Sequence, residues 1–352
     1  MLALLKKSWW KYIGVVLLMY VLIGGMLVPL GPGITKVNPD HLPADIPLKI
    51  ELTGYNTHFL SGGNLQVFFK EGANYFKPDD VSVLSETTLM VPFTMNSTQF
   101  HYASVPALDV IVNDDLDGNV TLREGLVLSK ETIDTARNGA EAKAITPEVK
   151  HNKFQSFAFP YREILYQSIR NTFYHVPMWF GMLLILLISV AFSIRFLMNE
   201  NPIDDIIASE AVNVGLLYGV LGLLTGMMWA TFTWGEPWPN DPKLNGAAMG
   251  VMIYFAYVIL RGSMDDAVKR ARISAVYNIF AVVFFVAFIF IVPRLTDSLH
   301  PGNGGNPAFS KYDLDSRLRL FFYPAVIGWG ILSFWILSIR VRIKMLERKI
   351  IA

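Results

Sequence analysis

Residues 176–196 read VPMWFGMLLILLISVAFSIRF, an apolar run with one charged residue, Arg195, close to its end. A helix needs roughly 20 mostly apolar residues to cross the hydrocarbon core of a bilayer. The sequence contains six such stretches, and the fourth reaches full length only if it begins near Leu244. Their approximate bounds are Tyr12–Leu30, Val176–Phe196, Ala211–Phe232, Ala247–Leu260, Ala275–Val292 and Leu320–Ile339. The sequence therefore predicts an all-α polytopic membrane protein with six transmembrane helices.

Composition supports the membrane class and excludes several kinds of function. Hydrophobic residues make up 53% of the chain and charged residues 17%, whereas soluble domains usually carry about 25% charged residues. The net charge of +1 gives no reason to expect a nucleic-acid partner. Cysteine is absent, which excludes disulfides, thiolate metal sites, a cysteine nucleophile and a haem covalently attached to this chain.

Basic residues beside three of the predicted helix ends indicate the orientation of the chain. The clusters are Lys6, Lys7 and Lys11; Arg261, Lys269, Arg270 and Arg272; and Arg340, Arg342, Lys344, Arg348 and Lys349. Because short cytoplasmic segments are enriched in Lys and Arg, both termini are predicted to be cytoplasmic, including a basic tail over 342–352. The first segment, 1–31, is predicted to be a retained anchor, since no A-x-A-like site follows its long apolar stretch; a cleaved signal peptide is the alternative.

The long outer segment between the first two helices has the pattern of a small β domain, over residues 32–131. Short runs with alternating or β-branched residues are separated by Gly, Pro, Asn and Asp, which predicts a β-sandwich. The predicted strands are Ile46–Thr53, Asn64–Lys70, Val81–Leu84, Thr88–Thr94, Ala107–Val112 and Asn119–Leu128. The stretches LTGYNTHF (52–59), NLQVFF (64–69) and VSVLSETTLMV (81–91) resemble the IPT/TIG type of immunoglobulin-like domain. Residues 132–173 are predicted to form a linker and then a helix on the membrane surface.

One loop of this domain has the spacing of a calcium-binding loop. Asn113, Asp115, Asp117 and Glu124 fall at oxygen-ligand positions of a twelve-residue EF-hand loop, and Gly118 falls at the position of its sharp turn. The flanking residues have strand character, so an acidic hairpin turn is the alternative to a Ca²⁺ site.

Four of the six histidines lie in the outer segment between the first two spans, and the predicted topology places the other two on the outer side of the membrane as well. His175 begins the second span, and His300 lies in the outer segment between the fifth and sixth spans. Neutral imidazole is a good axial ligand for haem iron, so the pair could hold one haem between them. A single histidine at a helix end is more often an ordinary packing residue. Between the two lies a third outer segment, which carries Trp234, Trp238 and Asp241 and is stiffened by Gly and Pro.

These segments together resemble the CcmC/CcsA haem-handling family of cytochrome c biogenesis, in which a tryptophan-rich "WWD" outer segment is flanked by two histidines. The resemblance covers the first span and about 174–341. The matching stretches are His175-Val176-Pro177, Trp234-Gly235, Trp238-x-x-Asp241-x-x-Leu244 and Ser298-Leu299-His300. Arg170, five residues before His175, matches a family arginine and is predicted to pair with a haem propionate. The sequence departs from the family at Asn240, where a tryptophan is usual, and in the inserted β domain.

The resemblance implies a bacterial inner-membrane protein with a five-helix haem-handling domain over 174–341. It would bind haem b non-covalently at its periplasmic face, through His175 and His300. It would then pass the haem to a CcmE-like periplasmic chaperone, with ABC-type subunits as further partners. This is haem transfer and not an enzyme reaction of a classical kind. Two alternatives stay open at this stage: a b-type haem or quinone electron-transfer subunit, and a haem-free membrane scaffold or permease.

Overall fold

The computed structural model describes residues 8–43, 46–72, 74–78, 80–93, 107–128, 157–163, 165–296, 298–300 and 314–351. Two compact units result, one formed by Met1–Val28 together with Gln167–Ala352, and the other by Pro29–Tyr166. The first unit is helical and the second is built from β-strands. Most of the predicted linker, 132–156, lies outside the described residues.

Six helices of the described chain are long and apolar enough to cross a membrane. They are α1 (Trp9–Leu27), α2 (His175–Asn199), α3 (Pro202–Trp234), α4 (Pro242–Gly262), α5 (Ala267–Val286) and α6 (Ser316–Ile351). A 3₁₀-helix, Tyr166–Phe173, precedes α2. The prediction of six transmembrane helices is confirmed.

Capping residues explain why two helices begin earlier than the apolar pattern indicated. Asn201 accepts a hydrogen bond from the Ile203 amide and is followed by Pro202, so α3 begins there and includes a polar first turn. Asp241 caps α4 in the same way, through the amides of Lys243 and Leu244. A side-chain acceptor satisfies amides that have no partner within the helix, and proline is favoured at the first helical position.

Close packing of α2 against α3 depends on small residues. A Cβ atom added to Gly215 would lie 2.8 Å from Leu186, and one added to Gly219 would lie 2.8 Å from Met182. Glycine lets two membrane helices approach closely, where van der Waals contact replaces the hydrophobic driving force that is absent in lipid. These two helices therefore form a closely packed pair at the centre of the helical unit.

The β unit is a sandwich of two sheets. The strands are β1 (Gly33–Asn38), β2 (His41–Leu42), β3 (Leu48–Tyr55), β4 (Gln66–Glu71), β5 (Asn74–Phe76), β6 (Ser82–Ser85), β7 (Thr88–Phe93), β8 (Ala107–Asp114) and β9 (Gly118–Leu128). One sheet has the order β1-β3-β7-β6 and the other β2-β9-β8-β4-β5. Both sheets contribute to one buried core, where the rings of Phe69 and Phe93 lie 4.4 Å apart across the interface. The prediction of a β domain between the first two helices is confirmed.

Three strands of the sandwich were not predicted. β1, β2 and β5 are two to six residues long and carry polar residues such as Lys36, His41 and Asn74. Each lies at a sheet edge, and β1 forms by pairing with β3, from Gly33 opposite Tyr55 to Asn38 opposite Glu51. Pairing with a partner strand holds short edge strands in place, so their own sequence need not have a strong strand pattern.

Candidate functional site

His175, the first residue of α2, lies against the middle of α3. Its Nδ1 atom is 3.0 Å from the carbonyl oxygen of Gly222 and 3.2 Å from Oγ1 of Thr225. A Cβ atom added to Gly226 would lie 2.8 Å from Cε1 of the imidazole. The ring thus occupies a space on α3 that exists because residue 226 has no side chain.

His300 is held by Asp241, the residue that caps α4. Its Nδ1 atom lies 3.1 Å from Oδ1 of Asp241. The other carboxylate oxygen accepts hydrogen bonds from the Ser298 hydroxyl and the Leu299 amide, each at 2.8 Å. One carboxylate therefore fixes both the start of α4 and the outer segment that carries His300.

Two indoles surround the His300 ring. The ring centroid of Trp234 lies 4.9 Å from that of His300, and the centroid of Trp229 lies 5.6 Å from it. The two indoles are themselves 4.9 Å apart and meet edge to face. Tilted and edge-to-face contacts between aromatic rings are attractive, so the three rings form one aromatic cluster.

The contacts of both histidines lie on one face of α3. His175 contacts Gly222 and Thr225, and His300 packs on Trp229. Residues 222, 225, 226 and 229 follow one another at helical spacing and share a face, with about 1.5 Å of rise per residue. His175 and His300 therefore pack against neighbouring turns of α3.

Each of the two imidazoles is oriented in the same way. Nδ1 faces an oxygen atom, the Gly222 carbonyl for His175 and the Asp241 carboxylate for His300. An Nδ1–H group that donates to such an acceptor fixes the tautomer in which Nε2 carries the lone pair. Histidines that bind metals usually have this second contact, because it orients the ring and makes Nε2 more basic. The donor atoms therefore fit a metal bound through Nε2 of each ring.

The protonation states of Asp241 and His300 also fit a metal bound through Nε2 of His300. Burial alone would raise the pKa of Asp241, but hydrogen bonds from His300, Ser298 and Leu299 lower it well below its usual range, so the carboxylate stays charged. Burial lowers the pKa of His300, and the hydrogen bond with Asp241 opposes this only in part. His300 is thus neutral near pH 7, which is the form that binds a metal.

Two of the predicted site residues have other contacts. The indole Nε1 of Trp238 donates to Oδ1 of Asn245 at 3.2 Å, and the indole is exposed. The guanidinium of Arg170 donates to Oε1 of Gln167 at 2.8 Å and to the carbonyl oxygen of Gly25. The structure does not place either residue in the aromatic cluster.

Sequence reasoning missed Trp229, which stands beside His300 with Trp234. It also missed the hydroxyl of Thr225, beside His175, and that of Ser298, which donates to Asp241. The helical spacing of residues 222, 225, 226 and 229 was a usable signal for Trp229 and Thr225, because a glycine-containing stripe on a membrane helix marks a surface that another group approaches closely. Ser298 could not be found this way, because its role depends on a contact 57 residues away.

The stretch with calcium-loop spacing is a β-hairpin. Asn113 pairs with Asn119 across the turn, and Glu124 lies five residues further along β9, a distance of roughly 15 Å at about 3.3 Å per residue. Asp117 accepts hydrogen bonds from His58, and Asp115 accepts one from Asn64 at 2.7 Å. Within the described ranges, no three His, Asp or Glu side chains form a group that could hold a metal ion. In the described residues this stretch is thus an acidic β-hairpin turn.

Comparison with known proteins finds relatives for the helical part of the chain. The family model described as "CcmC: Heme exporter protein C" matches residues 156–352. "Heme exporter protein C" of Paracoccus denitrificans is 24% identical over 185 residues, which are 53% of this chain and 76% of the relative. The protein of the same name from Bradyrhizobium diazoefficiens is 29% identical over 117 residues, 33% of this chain and 44% of the relative.

A second group of relatives has a different name. "Cytochrome c biogenesis protein CcsA" of Prochlorococcus marinus is 35% identical over 79 residues, which are 22% of this chain and 25% of the relative. The family match begins at residue 156, so it leaves out the β-sandwich.

Proposed function

The chain belongs to the heme exporter protein C family, and on that premise we propose that it binds haem b non-covalently for cytochrome c maturation. The proposed place is the outer face of a bacterial inner membrane, with both termini in the cytoplasm. Relatives named for haem export and for cytochrome c biogenesis support a role in haem handling. The residues that would hold haem and release it are proposed from the geometry of the helical unit.

The observation that carries the proposal is the common face of α3, on which both oriented histidines lie. Nε2 of His175 and Nε2 of His300 would hold the haem iron. Haem, when bound, would supply a redox-active iron that can take imidazole ligands. The hydrogen bonds that the Nδ1–H groups donate to the Gly222 carbonyl and to the Asp241 carboxylate hold the two rings without help from the ligand.

The aromatic cluster has a second role in this proposal. Trp229 and Trp234 present apolar ring surface beside His300, and such a surface fits the flat, apolar face of a porphyrin. Arg170, five residues before His175, remains our candidate for a haem propionate. It would have to exchange its contacts with Gly25 and Gln167 for a carboxylate.

Release of haem is proposed to begin at His300. His175 is built into a long helix, whereas His300 lies on a short outer segment that Asp241 attaches to α4 through three contacts. Loss of these contacts would free the His300 ring while His175 stays in place. The proposed recipient is a CcmE-like periplasmic chaperone. The sequence contains no Walker motif, so ATP hydrolysis, if it drives release, would belong to ABC-type partner subunits.

The test is a haem titration of the purified full-length protein, followed by the Soret absorption band. We expect His175→Ala and His300→Ala each to weaken and shift the band, and the double variant to lose it. His41→Ala, a histidine change in the β unit, is the matched control and should leave the band unaltered. A double variant with the spectrum and affinity of the unmodified protein would rule out the two axial ligands.

A further inference from the structure

The interior of the helical unit contains a fully buried asparagine, Asn278 of α5. Its Nδ2 atom donates to Oγ of Ser189 at 2.7 Å and to Oγ of Ser193 at 2.9 Å, both on α2. The Ser189 hydroxyl in turn donates to the carbonyl oxygen of Ala208 on α3, at 2.7 Å. Three membrane helices therefore meet at one buried polar cluster.

The hydrogen bonds of this cluster decide which way the amide group of Asn278 faces. A serine hydroxyl has one proton, and that of Ser189 is donated to Ala208, so Ser189 can only accept from Asn278. The NH₂ group must therefore face α2, where its two protons are donated to Ser189 and Ser193. Oδ1 faces away from both serines, and it has no hydrogen-bond partner among the described residues.

A second buried polar atom without a partner lies one helical turn from Asn278. Ser274 is 1% exposed, and its Oγ has no hydrogen-bond partner in the part of the chain that the structure describes. The two residues are four positions apart on α5, so they share a face and their Cβ atoms are about 5–6 Å apart. Of residues 275–277 between them, only Ala275 is buried, and its side chain is a single methyl group. The buried face of α5 thus has no bulky side chain between Ser274 and Asn278.

Water has the size and the chemistry to join these two atoms. An unsatisfied polar atom inside a membrane protein is costly, because lipid offers no hydrogen bonds. Nearly all buried polar atoms have a partner, and internal water commonly bonds those that the protein leaves unsatisfied. A water that bonds two oxygens at about 2.8 Å each joins atoms up to roughly 5.6 Å apart, which matches one turn of a helix. It can donate to Oδ1 of Asn278 and either donate to the Ser274 hydroxyl or accept from it.

We propose that an ordered internal water binds between Oδ1 of Asn278 and Oγ of Ser274, on the buried face of α5. A cation is a poorer fit, because both groups are neutral and a buried charge without a counter-charge is costly in a membrane. The water would complete the hydrogen bonding of the cluster and become part of the joint that holds α5 to the α2–α3 pair. The inference does not depend on the proposed function.

A double-mutant cycle in the full-length protein tests the water bridge. Unfolding in mixed micelles is measured for Ser274→Ala, Asn278→Ala and the double variant. A shared water couples the two side chains, so the effects of the single changes on the unfolding equilibrium constant should depart from a simple product by about threefold or more. The control cycle pairs Asn278→Ala with Ser338→Ala, a buried serine of α6 whose hydroxyl donates to the Trp335 carbonyl at 2.8 Å. Coupling of Asn278 with Ser274 that is no larger than its coupling with Ser338 overturns the proposal.

A second measurement uses the unmodified protein, so it does not depend on how the variants fold. A high-resolution crystal structure should show one density peak at roughly 2.5–3.0 Å from both Oδ1 of Asn278 and Oγ of Ser274. Replacing Na⁺ by choline in the buffer should leave the melting temperature unchanged. A direct contact between the two side chains, a site without density, or a lower melting temperature in choline, which would indicate a bound cation, each contradicts the proposal.

Discussion

Asp241 and His300 are joined by a 3.1 Å contact between Oδ1 and Nδ1, across 59 residues of sequence. The same carboxylate caps α4 through the amides of Lys243 and Leu244. The start of a membrane helix and the orientation of the outer histidine therefore depend on one side chain. This double role makes it possible to separate stability from ligand binding by mutation.

Asp241→Asn should weaken haem binding while α4 stays capped. Asparagine caps helices as well as aspartate. Its side chain has only one acceptor oxygen, however, and its NH₂ group cannot accept the hydrogen bonds from Ser298 and Leu299. We expect about 10- to 100-fold lower haem affinity in a Soret titration, the usual effect of losing the group behind a metal-binding histidine. Asp241→Ala should add a loss of about 1 kcal/mol in unfolding free energy, from the missing cap. Unchanged affinity in Asp241→Asn would show that the carboxylate does not orient His300 for the ligand.

Gly226→Ala should displace His175 without harming the fold. The new methyl group would lie 2.8 Å from Cε1 of the ring, so the imidazole must move away from α3. Alanine favours the helix over glycine by about 1 kcal/mol, which keeps the stability of the protein from falling. The expected result is a shifted Soret band with affinity reduced about tenfold or more, since small misplacements of a ligand are costly. Gly262→Ala, whose methyl group meets no atom within 4 Å, is the control.

Arg261→Gln should destabilise the helical unit. Arg261 makes two bonds with Asp205, at 2.8 and 2.6 Å, and both side chains are less than one-fifth exposed. Removing one partner leaves a largely buried charge, which costs about 3 kcal/mol. Denaturant unfolding in mixed micelles measures this, with Lys344→Gln as the control. The pair between Lys344 and Glu347 is half exposed, so its loss should cost about 1 kcal/mol or less. Equal effects of the two changes would argue against burial as the cause.

Asp114→Asn should stabilise the β unit at neutral pH. Burial raises the pKa of Asp114, the amides of Asp117 and Leu116 oppose this, and the charge of Asp117 adds to it. Because the folded protein holds the proton more tightly than the unfolded chain, the charged carboxylate destabilises the fold at pH 7. This penalty fades as the pH falls through the raised pKa.

The gain from Asp114→Asn should be about 1 kcal/mol at pH 7, the usual scale of a single substitution, and should shrink as the pH falls through the raised pKa of Asp114. Hydrogen-exchange protection of the β8 and β9 amides in the full-length protein, corrected for the intrinsic rate at each pH, is the measurement. Asp80→Asn, at an exposed position, should change nothing. A gain that grows as the pH falls would show that the charge of Asp114 does not destabilise the β unit.

Most of the fold followed from local patterns. All six membrane helices and the main strands of the sandwich were predicted, because apolar length and alternation are properties of neighbouring residues. Three of the four edge strands, β1, β2 and β5, were not predicted, because pairing with a partner strand and not a local pattern holds them in the sheet. The stretch with calcium-loop spacing shows the same limit. Its residues have the right order for an ion, but strand pairing separates Asn113 from Glu124.

The sequence by itself determined that this is a six-helix membrane protein with an inserted β domain, and it singled out His175 and His300 as candidates. Only the tertiary structure decided how those rings are held. Gly222 and Asp241 lie behind them, Trp229 and Trp234 pack beside His300, and Trp238 bonds to Asn245 instead. The physical reason is the range of the interactions. Hydrophobic length acts along the chain, whereas the contacts that orient an imidazole join residues 47 to 59 positions apart. The sequence singles out the two histidines, and the tertiary structure places the contacts of both on one face of α3.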